Sequence, residues 1–107
     1  MAPPTADQQR FTYADYLQWP DGERWELIDG KAYAMAPAPT ISHQALAGQL
    51  FRQIDEALDG TPCRALIAPV DVLLPASDEA DEQAATVVQP DILVVCDPEK
   101  ITERNVR

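Results

Sequence analysis

The chain has 107 residues, enough for one small domain that buries roughly two-thirds of its surface. With 46% apolar residues and ten prolines it is a loop-rich globular sequence rather than a disordered one. Eight basic side chains against eighteen acidic ones give a net charge of −10. That balance excludes strong polyanion binding by phosphate neutralisation alone, so any nucleic-acid chemistry would need a divalent ion to bridge like charges.

Residues 1–11 read as a flexible, Pro-rich tail with neither the apolar core nor the cleavage site of an export signal. Thr12 then caps a short helix that runs through Gln18 and is ended by Pro20, with Tyr13, Tyr16 and Leu17 on one side. Trp25-Glu26-Leu27-Ile28 and Ala32-Tyr33-Ala34-Met35 are strand-forming runs joined around Asp29-Gly30. Asp-Gly between such runs predicts a hairpin, because both central residues of a type I′ turn need positive φ. The longest helix is predicted from Ser42 to Leu58, capped by Thr40 or Ser42 and followed by Gly60. Its apolar face is Leu46, Leu50, Phe51, Ile54 and Leu58, opposite Gln49, Arg52, Gln53, Asp55 and Glu56.

Two strands, 63–68 and 70–74, flank a bend at Pro69. The stretch 75–85 carries Asp78, Glu79, Asp81 and Glu82 without a base and reads as a solvated loop, with Thr86-Val87-Val88 starting the return. It lacks the turn-forming glycine that a Ca²⁺ loop needs. Ile92-Leu93-Val94-Val95-Cys96 is an unbroken run of β-formers, predicting a strand buried on both faces in the middle of a sheet. Pro90 removes a backbone donor, so pairing starts after it and places the Asp91 carboxylate at the sheet's rim. The element order predicts a mixed α/β or α+β unit.

A strand apolar on both faces needs cover on both sides, and the residues after Cys96 are few and polar. The expectation is a sheet whose C-terminal half is missing from this sequence, or one completed by a homodimer or another partner covering the exposed sheet. No apolar run approaches membrane-spanning length. Cys63 and Cys96 are isolated, read as small buried hydrophobes inside strands, and show no zinc-type spacing. A reducing, cytoplasmic location is expected.

Several of these segments together carry a resemblance. Trp25-Glu26-Leu27-Ile28-Asp29-Gly30, Met35-Ala36-Pro37, Ser42-His43-Gln44 opening a helix, Ala68-Pro69-Val70-Asp71-Val72 and Val88-Gln89-Pro90-Asp91-Ile92 occur in that order. They resemble the Uma-type restriction endonuclease family, assigned to the PD-(D/E)XK nuclease superfamily, over nearly the whole chain. The resemblance implies a restriction-endonuclease-like mixed sheet flanked by helices, of which residues 12–107 are the N-terminal part. It also implies cleavage of DNA phosphodiesters with Mg²⁺ or Mn²⁺. Asp91 matches the family's first core metal-binding aspartate and Glu26 its early acidic residue. In relatives a second Pro-Asp strand carries the catalytic Glu, with a lysine nearby, and residues 1–107 do not reach that strand.

The residues themselves leave alternatives open. Asp91 could instead cap backbone groups at the rim. Glu26 alternates with Trp25 and Leu27, and Asp71 with Val70 and Val72, as polar residues on half-buried strands do. Asp71 and His43 are further candidates to line the site. His43, the sole histidine, falls in the first turn of the long helix, where the helix dipole favours its neutral form. Asp29-Gly30-Lys31 matches (D/E)-x-K literally but sits on the predicted turn, where Asp and Gly serve the backbone. Trp19, Trp25 and Tyr33 read as packing between hairpin and helix rather than a stacking platform. The alternative function is a non-catalytic interaction or dimerisation module built on the same fold.

Overall fold

A computed structural model describes residues 10–20, 22–36, 38–76 and 78–107. Most of the expected N-terminal tail lies outside the described residues, as does Pro37 of the Met35-Ala36-Pro37 motif. Two helices, a five-stranded sheet and a two-stranded sheet among the described residues make a mixed α+β fold. The chain divides into two compact units: Met1–Pro37 with Val72–Val88 and Arg107, and Ala38–Asp71 with Gln89–Val106.

The first unit is organised by its hairpin. Strands β1 (Trp25–Ile28) and β2 (Lys31–Ala34) pair antiparallel, with Ile28 opposite Lys31 across a two-residue turn. Asp29 (φ 51°) and Gly30 (φ 81°) both take left-handed backbone, as the type I′ turn requires. Alternation sends Leu27 and Ala32 inward, while Ile28 and Tyr33 are exposed on the other face.

Further along the chain, β5 (Val87–Val88) pairs antiparallel with β1, and β4 (Asp71–Leu73) pairs antiparallel with the other edge of β5. Val87 stands opposite both Leu27 and Leu73, and all three are 0% exposed. This row is the centre of the core. Phe11, Tyr13, Ala32 and Ala84 complete the cluster.

Helix α1 (Tyr13–Tyr16) is a single turn, opened by the Thr12 amide donating to Asp15 Oδ2 at 2.9 Å. It is shorter than the predicted span because Gln18 and Trp19 donate back to Asp15 and Tyr16, an i→i−3 pattern that tightens the chain ahead of Pro20. Trp19 sits edge-on against Phe11 (5.2 Å between ring centres) and Trp25 (5.9 Å). The two tryptophans therefore pack as expected, and Tyr33 does not join them. The acidic stretch is less solvated than predicted: a 3₁₀ turn at Asp81–Gln83 leads into Ala84, which is fully buried. The Ala84 carbonyl accepts from the Tyr13 amide (2.9 Å), and the Ala85 carbonyl from the Gly30 amide (2.7 Å).

In the second unit, α2 (Ile41–Ala57) begins where Thr40 Oγ1 accepts the His43 amide at 3.1 Å, and Gly60 follows its end at φ 78°. Its buried stripe differs from the predicted face. Ala47 is buried and Phe51, Ile54 and Leu58 are half-buried, whereas Leu46 and Leu50 are exposed at 58% and 44%. Positions 47, 51, 54 and 58 fall within about 60° of one another at 3.6 residues per turn, and 46 and 50 lie to one side of that stripe, about 110° and 70° from its centre.

Strands β3 (Arg64–Ile67) and β6 (Ile92–Val95) pair antiparallel as a separate two-stranded sheet, from Arg64↔Val95 to Ile67↔Ile92. This overturns the expectation that β6 is a central strand buried on both faces. It has one sheet neighbour, and Val94 on β6 and Ile67 on β3 remain exposed. One step beyond Arg64↔Val95, Cys63 and Cys96 form a disulfide. The cysteines are thus neither free nor buried hydrophobes, since Cys63 is half-buried and Cys96 exposed. Antiparallel register sets them opposite each other, a juxtaposition that a separation of 33 residues does not reveal in the sequence. Their pairing removes the cysteine part of the argument for a reducing compartment. After a 3₁₀ turn at Pro98–Lys100, Ile101 bridges to Val106 of the short β7 (Asn105–Val106).

Candidate functional site

Asp91 ends the ladder opposite the disulfide. Its carbonyl accepts the Ala68 amide at 2.9 Å, one step past Ile67↔Ile92, which fixes its backbone to β3. The residue before Pro90 is held as well: Gln89 Nε2 donates to Asp71 Oδ1 at 2.9 Å. The Gln89-Pro90-Asp91 segment is therefore tied on one side to Asp71 and on the other to Ala68, and the Asp91 side chain projects into solvent at 68% exposure.

His43 meets it there. Thr40 caps α2 and so fixes the first turn that presents the imidazole. His43 Nε2 lies 3.2 Å from Asp91 Oδ2, and Nδ1 lies 3.1 Å from Gln44 Oε1. Gln44 Oε1 is purely an acceptor, so it orients the ring with Nδ1–H toward it. The hydrogen bond to Gln44, then the hydrogen bond and negative charge of Asp91, push the His43 pKa above its ordinary value. The shift runs opposite to the one expected from the helix dipole. The acceptor of Gln44 and the carboxylate of Asp91, both in direct contact with the ring, outweigh the partial charge of the helix terminus.

Of the four residues singled out from the sequence, the second unit brings His43 and Asp91 together and places Asp71 against Gln89, two residues from Asp91. Glu26 belongs to the first unit, on β1 opposite Tyr33, half-buried on the face that carries Ile28. The literal Asp29-Gly30-Lys31 match is the hairpin turn itself, with Asp29 paired to Arg10 at 3.1 Å. Gln44 and Gln89 lie in the segments that carry the resemblance, but the sequence alone assigns neither a place in the site. Each is adjacent to, or two positions from, a residue to which it does.

The chemistry of this donor set bears on a metal. A hard divalent cation such as Mg²⁺ takes one or two carboxylates and fills its shell with water and substrate oxygens. An exposed carboxylate on an anchored backbone fits that role, and Asp91 meets the description. No group of three or more His, Cys, Asp or Glu side chains among the described residues is arranged to hold a metal ion.

A comparison with known families places the chain. The Uma2 family, described as "Putative restriction endonuclease", matches residues 13–107. The match spans most of the sequence, and the chain belongs to this family. No curated protein matches it. Among the described residues, no helix is long and apolar enough to cross a membrane.

Proposed function

We propose that this chain is a DNA-cleaving nuclease domain of restriction-endonuclease-like fold, dependent on Mg²⁺ or Mn²⁺, in which Asp91 is the metal-binding carboxylate. Family membership over residues 13–107 carries the reading, and the exposed, anchored carboxylate of Asp91 supports it. When bound, the ion would offset phosphate charge and lower the pKa of a coordinated water. The chain's own contribution is positional. The Ala68–Asp91 backbone bond and the Gln89–Asp71 contact hold the carboxylate's segment still, and His43 restrains the side chain from the start of α2. The second acid in this reading is Glu26, on the strength of the family resemblance. A cytoplasmic location, where DNA is available, belongs to the same reading.

The test is cleavage of supercoiled plasmid by the full chain with MgCl₂ or MnCl₂, beside Asp91→Asn and Glu26→Gln. Nicking by the wild type that falls at least about a hundredfold in Asp91→Asn supports the proposal, on the scale of mutations that remove a directly acting polar group. Equal nicking by both proteins removes Asp91 from the mechanism.

A second reading, a non-catalytic interaction or dimerisation module, is favoured by one observation. Leu46 and Leu50, one turn apart on α2, and Ile67 and Val94 on the two-stranded sheet all expose apolar surface in the second unit. Sedimentation discriminates: a dimer dispersed by Leu46→Glu, with no nicking by either form, supports the module over the nuclease.

A further inference from the structure

The strand headed by Asp91 is held less firmly than its partner. Strand β3 packs against both α2 and β6, whereas β6, among the named elements, has β3 as its main neighbour. No third strand flanks the pair, and two strands on their own make a weakly held ladder. Two fastenings close its ends. At one, the Ala68 amide donates to the Asp91 carbonyl at 2.9 Å; at the other, Cys63 and Cys96 are joined covalently. The covalent fastening is the one that a reagent outside the chain can undo. Cys96 is exposed, while Cys63 is half-buried with its amide bonded to Thr61 Oγ1 at 3.2 Å.

We propose that this disulfide is a reversible clasp on the Asp91 strand, opened by a low-molecular-weight thiol that attacks Cys96. The incoming thiolate forms a new S–S bond to Cys96 Sγ as the Cys63–Cys96 bond breaks, and Cys63 Sγ leaves with the electron pair and takes up a proton. A second thiolate displaces Cys96 from the mixed disulfide, so two small thiols are oxidised to one disulfide and the chain gains two thiols. The small-molecule disulfide runs both steps backwards and closes the clasp. Access selects Cys96, because exchange depends on which sulfur the thiolate can reach. Once the clasp is open, β6 keeps only its ladder bonds and its packing on β3, so the pairing opens more often. The Ala68–Asp91 bond, roughly 16 Å along β3 from Cys63 at about 3.3 Å per residue, opens with it. The redox state of the cysteines thus sets how firmly the backbone of Asp91 is held, and the device needs neither metal nor DNA.

Two measurements test this. In the first, the oxidised full chain is treated briefly with reduced glutathione, quenched with iodoacetamide and mapped by mass spectrometry. Glutathione on Cys96 with the alkyl group on Cys63 should exceed the reverse arrangement by at least about tenfold. Equal labelling, or the reverse, overturns attack at Cys96. The second is amide hydrogen exchange with and without dithiothreitol. Ala68 should lose protection at least about tenfold on reduction and regain it with oxidised glutathione. The Tyr13 and Gly30 amides, bonded to Ala84 and Ala85 within the first unit, should stay protected. Cys63→Ser/Cys96→Ser should exchange like the reduced chain whether or not reductant is present. Unchanged protection of Ala68, or equal loss at all three amides, overturns the clasp. Neither readout involves plasmid nicking, so this proposal and the nuclease reading fail separately.

Discussion

The disulfide between Cys63 and Cys96 closes a loop with a sequence separation of 33 and clasps the end of the β3–β6 ladder farthest from Asp91. A ladder of only two strands is marginal by itself. Replacing both cysteines by serine removes the cross-link while leaving two small side chains near solvent. In the chain-entropy model, opening a loop of this length restores roughly 12–13 cal/mol/K to the unfolded chain, or about 3.7 kcal/mol at 25 °C. Against a total stability of about 5–15 kcal/mol for a domain, that is a large fraction. Urea unfolding of Cys63→Ser/Cys96→Ser should show a midpoint lower by about 2 M if the slope is near 2 kcal/mol/M. Both cysteines belong to the second unit, so the loss falls on its transition if the units unfold separately. Reductant should shift the wild type to the same midpoint and leave the double variant unmoved. Two titratable thiols per chain in the unreduced, unfolded protein, or coincident unfolding curves, would refute the reasoning.

Three other outcomes are expected. Leu73→Ala empties one position of the Leu27–Val87–Leu73 row, where every member is fully buried, and should cost about 2–5 kcal/mol by denaturant unfolding. Gly30→Ala forces a side chain onto φ 81° and sets its Cβ 3.2 Å from Arg10 Cβ, so a loss of about 1–2 kcal/mol is expected, whereas the same change at the open, mid-helix Gly48 should stabilise by about 0.5–1 kcal/mol. In metal-free protein, the His43 pKa followed by NMR should lie above about 6.5 and fall in Asp91→Asn. Because the folded-state value is raised, the contact adds stability below the unfolded-state pKa and loses it as pH rises through the folded-state one. A titration unaffected by Asp91→Asn would show that the carboxylate does not reach the ring in solution.

Much of this protein was legible before folding because local physics dominated those segments. Asp29-Gly30 demands positive φ at two consecutive positions and so announced its hairpin. Thr40 or Ser42 ahead of an amphipathic run announced α2, the structure deciding for Thr40, and Pro69 marked the bend between β3 and β4. Five short segments in order announced the family. Phe11 closes the Pro-rich tail in the sequence, yet it is buried, held by its amide's bond to the Gly30 carbonyl. A single aromatic beside a polar stretch carries no periodicity to signal burial. Ala84 is similar, being small enough to enter the core although its acidic neighbours suggested solvent.

What the sequence determined by itself is therefore the two helices and the longer strands, the hairpin's turn chemistry, the family, and Asp91 as an acid at the head of a strand. Tertiary structure alone decided who meets whom. It placed β6 in a two-stranded ladder, set Cys63 opposite Cys96, and brought His43 to Asp91 across 48 positions of chain. Propensity and periodicity act over a few residues, whereas register and strand order follow from which apolar faces find one another. The raised pKa of His43 shows the difference in one side chain. Its place in the helix argued for a lowered pKa, and the ring's hydrogen bonds to the neighbouring Gln44 and to the Asp91 carboxylate, remote in sequence, overruled it.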